Sequence, residues 1–167
     1  MEHLYAPWRM TYIRDEANRA AAGCPFCAAR DDHEDPHSLV AHRGKLSFIV
    51  LNKYPYNTGH SLALPNRHLA ELEDLTPEEL FDLNETVRLL VAGLRAVSNP
   101  HGFNIGLNLG NVAGAGVPGH LHYHVVPRWN GDHNFMQVLA GTHVLPETPT
   151  ETRRKLAEAI TKLTAGK

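Results

Sequence analysis

The sequence predicts an α+β fold: a mainly antiparallel five-stranded sheet, one long helix packed on a face, and a second helix at the C-terminal end. Three observations predict it. Short apolar or alternating runs bounded by turn residues recur through the middle of the chain. One long stretch keeps helical spacing behind a strong start signal. The length of 167 residues suits one domain with a sizeable core. The expected layout is an N-terminal extension over residues 1–38, a core over 39–147 and a C-terminal helix over 148–167.

Taken in order, residues 1–38 read as irregular or weakly helical and end in the polar run Asp31-Asp32-His33-Glu34-Asp35-Pro36-His37, an exposed acidic loop. Two strands follow, near Leu39–His42 and Lys45–Asn52, with Arg43-Gly44 as the hairpin turn. Ser47-Phe48-Ile49-Val50-Leu51 is almost continuously apolar, which places that strand centrally. Tyr54-Pro55-Tyr56-Asn57-Thr58-Gly59 is a loop by its proline, asparagine and glycine, and a third strand, His60–Leu64, ends at Pro65. Thr76-Pro77-Glu78-Glu79 supplies an N-cap, a first-turn proline and a capping-box glutamate. Leu80, Leu83, Val87, Leu90, Val91, Leu94 and Val97 then mark one helix face until Asn99-Pro100 ends it. Gly102–Leu109 alternates as a fourth strand, with Phe103, Ile105, Leu107 and Leu109 on one side. After a glycine-rich turn, Gly110 to Gly116, comes a fifth strand with three histidines, and a last helix runs from about Glu151 to Leu163 with Leu156, Ile160 and Leu163 on one side.

Composition narrows the function classes. Apolar residues make up 43% and charged residues 20%, with a formal net charge of −2, so nothing suggests a non-specific nucleic-acid binder. The amino terminus lacks the basic-then-apolar layout of a signal peptide, and no apolar run approaches the ~20 residues of a membrane span. A soluble cytoplasmic protein is the expectation. The twelve histidines are the oddity.

Three of them stand at every second position, His120-Leu121-His122-Tyr123-His124, followed by Val125-Val126-Pro127. On a strand all three rings point to one face, roughly 7 Å apart, near enough to act on one phosphate. Neutral imidazole is a nucleophile, and its cation donates hydrogen bonds to anions. The pattern suggests covalent chemistry at phosphorus, with the glycine turn beside it as a phosphate cradle. Spacing alone also admits a rival, in which the three histidines hold one catalytic metal. The two cysteines, in Cys24-Pro25-Phe26-Cys27, admit half a zinc site, a redox dithiol or two thiols of no special role. The flanking residues do not suit the redox reading, and a metal site needs two more ligands.

The run His120-Leu121-His122-Tyr123-His124-Val125-Val126 resembles the signature of the histidine-triad (HIT) superfamily. The likeness extends to Asn52, Gly59-His60 and Pro65-Asn66-Arg67-His68, to His101-Gly102-Phe103-Asn104 and Asn108-Leu109-Gly110, and to Pro127-Arg128-Trp129-Asn130-Gly131-Asp132 with Asn134-Phe135. With Pro7-Trp8-Arg9-Met10 it is similar to the bacterial branch of diadenosine tetraphosphate phosphorylases and ATP adenylyltransferases. The resemblance implies that His122 attacks the α-phosphorus of a nucleotide, forming a nucleotidyl-histidine that water or phosphate then cleaves. It implies that His124 bonds the phosphate or leaving oxygen. Asn108 and backbone N–H groups near Gly116 would stabilise the equatorial oxygens, Asn52 would hold the ribose, and Phe48 and Leu51 would flank the base. His60 would be a buried supporting histidine. Gly116 departs from the glutamine or serine common in the family, leaving only backbone donors there.

The resemblance also implies a nucleotide substrate, most simply a dinucleoside polyphosphate, and a homodimer. An adenosine phosphoramidate is the alternative substrate, and a non-catalytic nucleotide sensor the alternative class. A zinc-bearing relative, galactose phosphate uridylyltransferase, pairs a Cys-x-x-Cys with a histidine and the first triad histidine. Carried over, the ligands are Cys24, Cys27, His68 and His120, a closed and therefore structural zinc site. Magnesium on the substrate phosphates stays open.

Overall fold

The computed structural model describes residues 23–132 and 145–165. The Pro7–Met10 and Asn134–Phe135 segments lie outside the described residues. Five strands form one sheet: β1 (Val40–Arg43), β2 (Ser47–Leu51), β3 (Ser61–Pro65), β4 (Gly102–Leu107) and β5 (Tyr123–Arg128). Their spatial order is β1-β2-β3-β5-β4, and every neighbouring pair is antiparallel. Among the described residues three α-helices accompany them: α1 (Pro25–Asp31), α2 (Pro77–Ser98) and α3 (Pro149–Ala165).

The sheet is covered on both faces. On one side Ile49, Leu51, Ala63 and Val125 form a core with Leu83, Leu90 and Leu94 of α2 and Leu156 and Ile160 of α3. On the other, Val40, Phe48, Val50, Leu62 and Leu64 gather, with Phe26 and Ala29 of α1 packed on them. Strand alternation assigns each residue its side, and each fully buried leucine contributes about 1.5–3 kcal/mol. Ser47, facing the helix layer, bonds Asp82 and lies 2.7 Å from Thr86 Oγ1, so its buried hydroxyl is satisfied against α2.

The start of α2 follows its sequence signal. Thr76 Oγ1 accepts from the Glu79 amide at 3.2 Å, and Glu79 Oε2 accepts from the Thr76 amide at 2.9 Å. Asn99 closes the helix in the left-handed region at φ 43°. Helix α3 crosses α2 at Gly93, where a Cβ would stand 2.8 Å from Leu156 and 3.2 Å from Ile160. Of the predicted apolar faces, Leu80 is 40% and Leu163 39% exposed, so each stripe is buried only along its middle.

Two differences from the sequence expectation concern strands. The ladder of β4 stops at Leu107, and Ile105 is 48% and Leu109 40% exposed, because β4 is an edge with no partner beyond it among the described residues. The ladder of β5 starts at Tyr123, so His120 and His122 precede the strand rather than lie in it. Alternation persists regardless: Leu121, Tyr123 and Val125 go to the helix core while His124 goes to the other face.

Candidate active site and metal centre

His122 sits where the chain enters β5. Its Nδ1 donates to the His120 carbonyl at 2.7 Å, which leaves Nε2 with the lone pair. The residue is only 5% exposed, and burial lowers its pKa, opposed by the bond to the His120 carbonyl. It is therefore a neutral imidazole at physiological pH, with its nucleophilic nitrogen fixed by the backbone. The rings of His122 and His124 lie 4.9 Å apart, closer than a regular strand would set them.

A backbone amide fixes the tautomer of the next two histidines. The Tyr56 N–H donates to His60 Nδ1 at 3.0 Å. A ring nitrogen that accepts carries no proton, so His60 holds its proton on Nε2 and donates it to His124 Nδ1 at 2.9 Å. His124 in turn carries its proton on Nε2, and the Asn108 Nδ2, 3.4 Å from that nitrogen, stands beside it as a second N–H donor. His60 is 1% exposed, and burial, with the nearby His124 and His122, pushes its pKa down to about 3. The Tyr56 ring covers the pair, 4.5 Å from His60 and stacked 5.8 Å from His124 at 12°. The arrangement presents an N–H donor from His124 beside the lone pair of His122.

His120 turns away from this pair. Its Nε2 donates to the Pro65 carbonyl at 2.9 Å, which leaves Nδ1 as a lone-pair donor. That nitrogen lies 3.3 Å from Cys24 Sγ, 3.6 Å from Cys27 Sγ and 3.4 Å from His68 Nδ1, while Cys27 Sγ lies 3.5 Å from His68 Nδ1. All four donor atoms fall within 4.8 Å of one another. A tetrahedral zinc with bonds of about 2.3 Å to sulfur and about 2.0–2.1 Å to nitrogen has edges of roughly 3.3 Å between nitrogens and roughly 3.6 Å between nitrogen and sulfur. The four separations of 3.3–3.6 Å lie near those edges, and two soft thiolates with two imidazoles are a donor set suited to zinc. The bond from His120 to Pro65 is the outer contact that orients a ligating ring. Without a metal, burial and the adjacent Cys24 raise the Cys27 pKa, and burial lowers that of His120 to about 4.

This geometry removes the single-metal triad. His120 Nδ1 faces the cysteines, His122 Nδ1 a carbonyl and His124 Nδ1 a histidine. Among the described residues the Cys24–Cys27–His68–His120 group is the one that could hold a metal ion.

Other predicted residues divide. His60, Asn108 and His124 come together. Asn52 donates toward His60 Nδ1 at 3.3 Å and accepts from the Tyr54 amide at 3.0 Å, so both ends of its amide are engaged within the loop. Leu51 is placed wrongly by the sequence reading: it belongs to the helix-side core, opposite the histidines. Phe48 lies on the histidine side but is fully buried, its ring 6.2 Å from His120, so it underpins that ring and has no surface left for a base. Gly116 is half-buried in the turn that leads to His120.

Sequence reasoning missed Phe26 and Tyr56. Phe26, between the two cysteines, places its ring 5.2 Å from His122 and 5.8 Å from His120. Its only sequence signal is an apolar residue inside the Cys-x-x-Cys loop. Tyr56 reads in the sequence as a loop aromatic and nothing more.

Comparison with known proteins adds independent observations. Residues 33–131 match the HIT domain family. The chain is 44% identical over 163 residues to an AP-4-A phosphorylase of Mycobacterium tuberculosis, covering 94% of this chain and 83% of that protein. It is 41% identical over 95 residues to an asymmetrical bis(5'-nucleosyl)-tetraphosphatase of Schizosaccharomyces pombe, covering 57% of this chain and 52% of that protein. A crystal structure of a zinc-bound histidine triad family protein from Mycobacterium smegmatis superposes with a TM-score of 0.69 at 26% identity, covering 88% of this chain and 99% of that one.

Proposed function

This chain belongs to the HIT domain family, and we propose that it is a nucleotidyl-transferring enzyme that cleaves a dinucleoside polyphosphate, diadenosine tetraphosphate first, at an α-phosphate. The observation that carries the reading is the 2.7 Å bond from His122 Nδ1 to the His120 carbonyl, which aims a neutral, lone-pair Nε2 into the site.

His122 Nε2 forms a bond to the α-phosphorus, and the bond from that phosphorus to the bridging oxygen breaks, with its electron pair leaving on the nucleoside polyphosphate. The His124 Nε2–H hydrogen-bonds that departing oxygen. His60 supports His124 from behind, and Asn108 and the backbone around Gly116 face the equatorial oxygens. Phe26, rather than Phe48 or Leu51, walls the nucleoside side of His122. An acceptor oxygen then attacks the phosphorus, the nitrogen–phosphorus bond breaks and His122 returns to its neutral form. Dividing the displacement into two steps is the gain of covalent catalysis. Inorganic phosphate is the proposed acceptor, supported by the likeness to an AP-4-A phosphorylase along most of the chain.

Cys24, Cys27, His68 and His120 would hold a zinc ion, which would supply a structural cross-link and no reacting group. The proposed homodimer would pair at the β4 edge, a reading supported by the exposure of Ile105 on the last strand of the sheet.

Incubating the protein with diadenosine tetraphosphate, with and without phosphate, tests the reading. ADP plus ATP with phosphate is the expected outcome. AMP plus ATP in both cases would make water the acceptor, and binding without any product would make the protein a nucleotide sensor.

A further inference from the structure

We infer that the metal centre sets the affinity of the nucleotide pocket, because one loop carries both the metal ligands and Phe26, the ring beside His122. The inference rests on the nucleotide reading above. Cys24 and Cys27 bracket Phe26, and the Phe26 ring reaches within 5.2 Å of the His122 ring. Below it lies the apolar floor of Val40, Phe48, Val50, Leu62 and Leu64.

Among the described residues few other contacts fasten this loop. Helix α1 has seven residues, none of them fully buried, and so short a helix is marginal by itself. Its C-terminal end is held by Arg43, whose guanidinium donates to the carbonyls of Ala29, Arg30 and Asp32 at 2.8–3.1 Å, and by Arg30, whose guanidinium donates to the Asn66 carbonyl. Its N-terminal end, where Phe26 sits, has no side-chain cap and is tied to the sheet through the two cysteines against His68 and His120. Bonds from a metal to all four side chains would pin Phe26 over the floor. Losing the metal would release that end of α1 and open the wall of the pocket.

A second route joins the same two sites. The His120 ring is a metal ligand, while its backbone carbonyl accepts from His122 Nδ1. Whatever fixes the ring and main chain of His120 also fixes the orientation of the nucleophile.

Linkage makes the effect reciprocal: the factor by which metal tightens nucleotide is the factor by which nucleotide tightens metal. The probe is AMP, which is not turned over. Calorimetry on zinc-loaded and chelated wild type should show AMP binding about tenfold weaker without metal, within the usual range of such coupling. Zinc transfer to a chromophoric chelator should show metal affinity raised by AMP by the matching factor. The Phe26→Ala variant keeps all four ligands, so it should hold one zinc per chain, bind AMP more weakly when loaded, and lose less on chelation than wild type does, the remainder passing through His120.

Equal AMP affinity in loaded and chelated protein, with the fold intact by circular dichroism, would overturn the inference and leave the nucleotide reading standing. No AMP binding by loaded wild type would overturn the nucleotide reading and the inference with it. If chelation unfolds the chain, loaded Phe26→Ala decides: wild-type AMP affinity overturns the inference, and weakened affinity supports it.

Discussion

Replacing His60 with asparagine should flatten the acid side of the stability curve. In the folded protein His60 is 1% exposed and its pKa is pushed down to about 3 from an ordinary 6.5. The unfolded chain therefore takes up a proton at this residue as the pH falls through 6.5, and the folded chain does not until about 3. A histidine depressed in this way contributes stability that is complete above the unfolded value and is lost progressively below it. At pH 4.5, two units below, the loss is about 2.7 kcal/mol, at about 1.36 kcal/mol per unit. Urea unfolding of wild type and His60→Asn at pH 7.5 and pH 4.5 measures it. The cysteine–histidine cluster also weakens in acid, but in both proteins, so it drops out of the difference. Wild type should lose about 2–3 kcal/mol more than the variant over that interval. Parallel curves would refute the buried neutral histidine and, with it, the tautomer chain that points an N–H from His124 into the site.

Two further substitutions separate structure from chemistry. Cys24→Ser should lower zinc content well below one per chain by atomic absorption and lower Tm by at least about 5 °C, since each kcal/mol moves Tm about 2–4 °C at this size. Leu51→Ala should cost about 2–5 kcal/mol of stability in urea yet leave KM for diadenosine tetraphosphate unchanged, because Leu51 lies on the helix side of the sheet; a raised KM with intact stability would restore it to the pocket.

Much of the fold was legible because its signals are local. The Thr76–Glu79 capping box forms as written, and turn residues separate the strands that pair as an antiparallel sheet. Facing in β2 was not legible. All five of its residues are buried, since helices cover one side and α1 with its floor the other, and a run buried on both faces carries no period to read. The exposure of Ile105 follows from β4 standing at an edge, a property of strand order that no local pattern encodes.

The site divides the same way. Alternate histidines announce themselves, and a known ligand set could be carried onto Cys24, Cys27, His68 and His120, whose donor atoms the fold gathers. The three rings share one face, but His120 and His122 precede the ladder of β5, and the His120 ring meets the cysteines rather than joining its neighbours at one group. Phe26 was invisible because its approach to His122 depends on a loop 96 residues away folding over the sheet and clasping His120 from its Cys24 end. The role of Tyr56 lies in its backbone N–H, and no side-chain pattern reports which amide will meet a buried imidazole.

A rapid-quench experiment tests the central claim most directly. Protein mixed with diadenosine tetraphosphate without phosphate, quenched in base because a phosphoramidate is acid-labile, and digested for mass spectrometry should yield one adenylyl group on His122. Addition of phosphate should discharge it as ADP at the turnover rate, and His122→Ala should show neither adduct nor turnover while retaining zinc and fold. An adduct on another residue, or turnover by His122→Ala above a few per cent of wild type, would contradict the account.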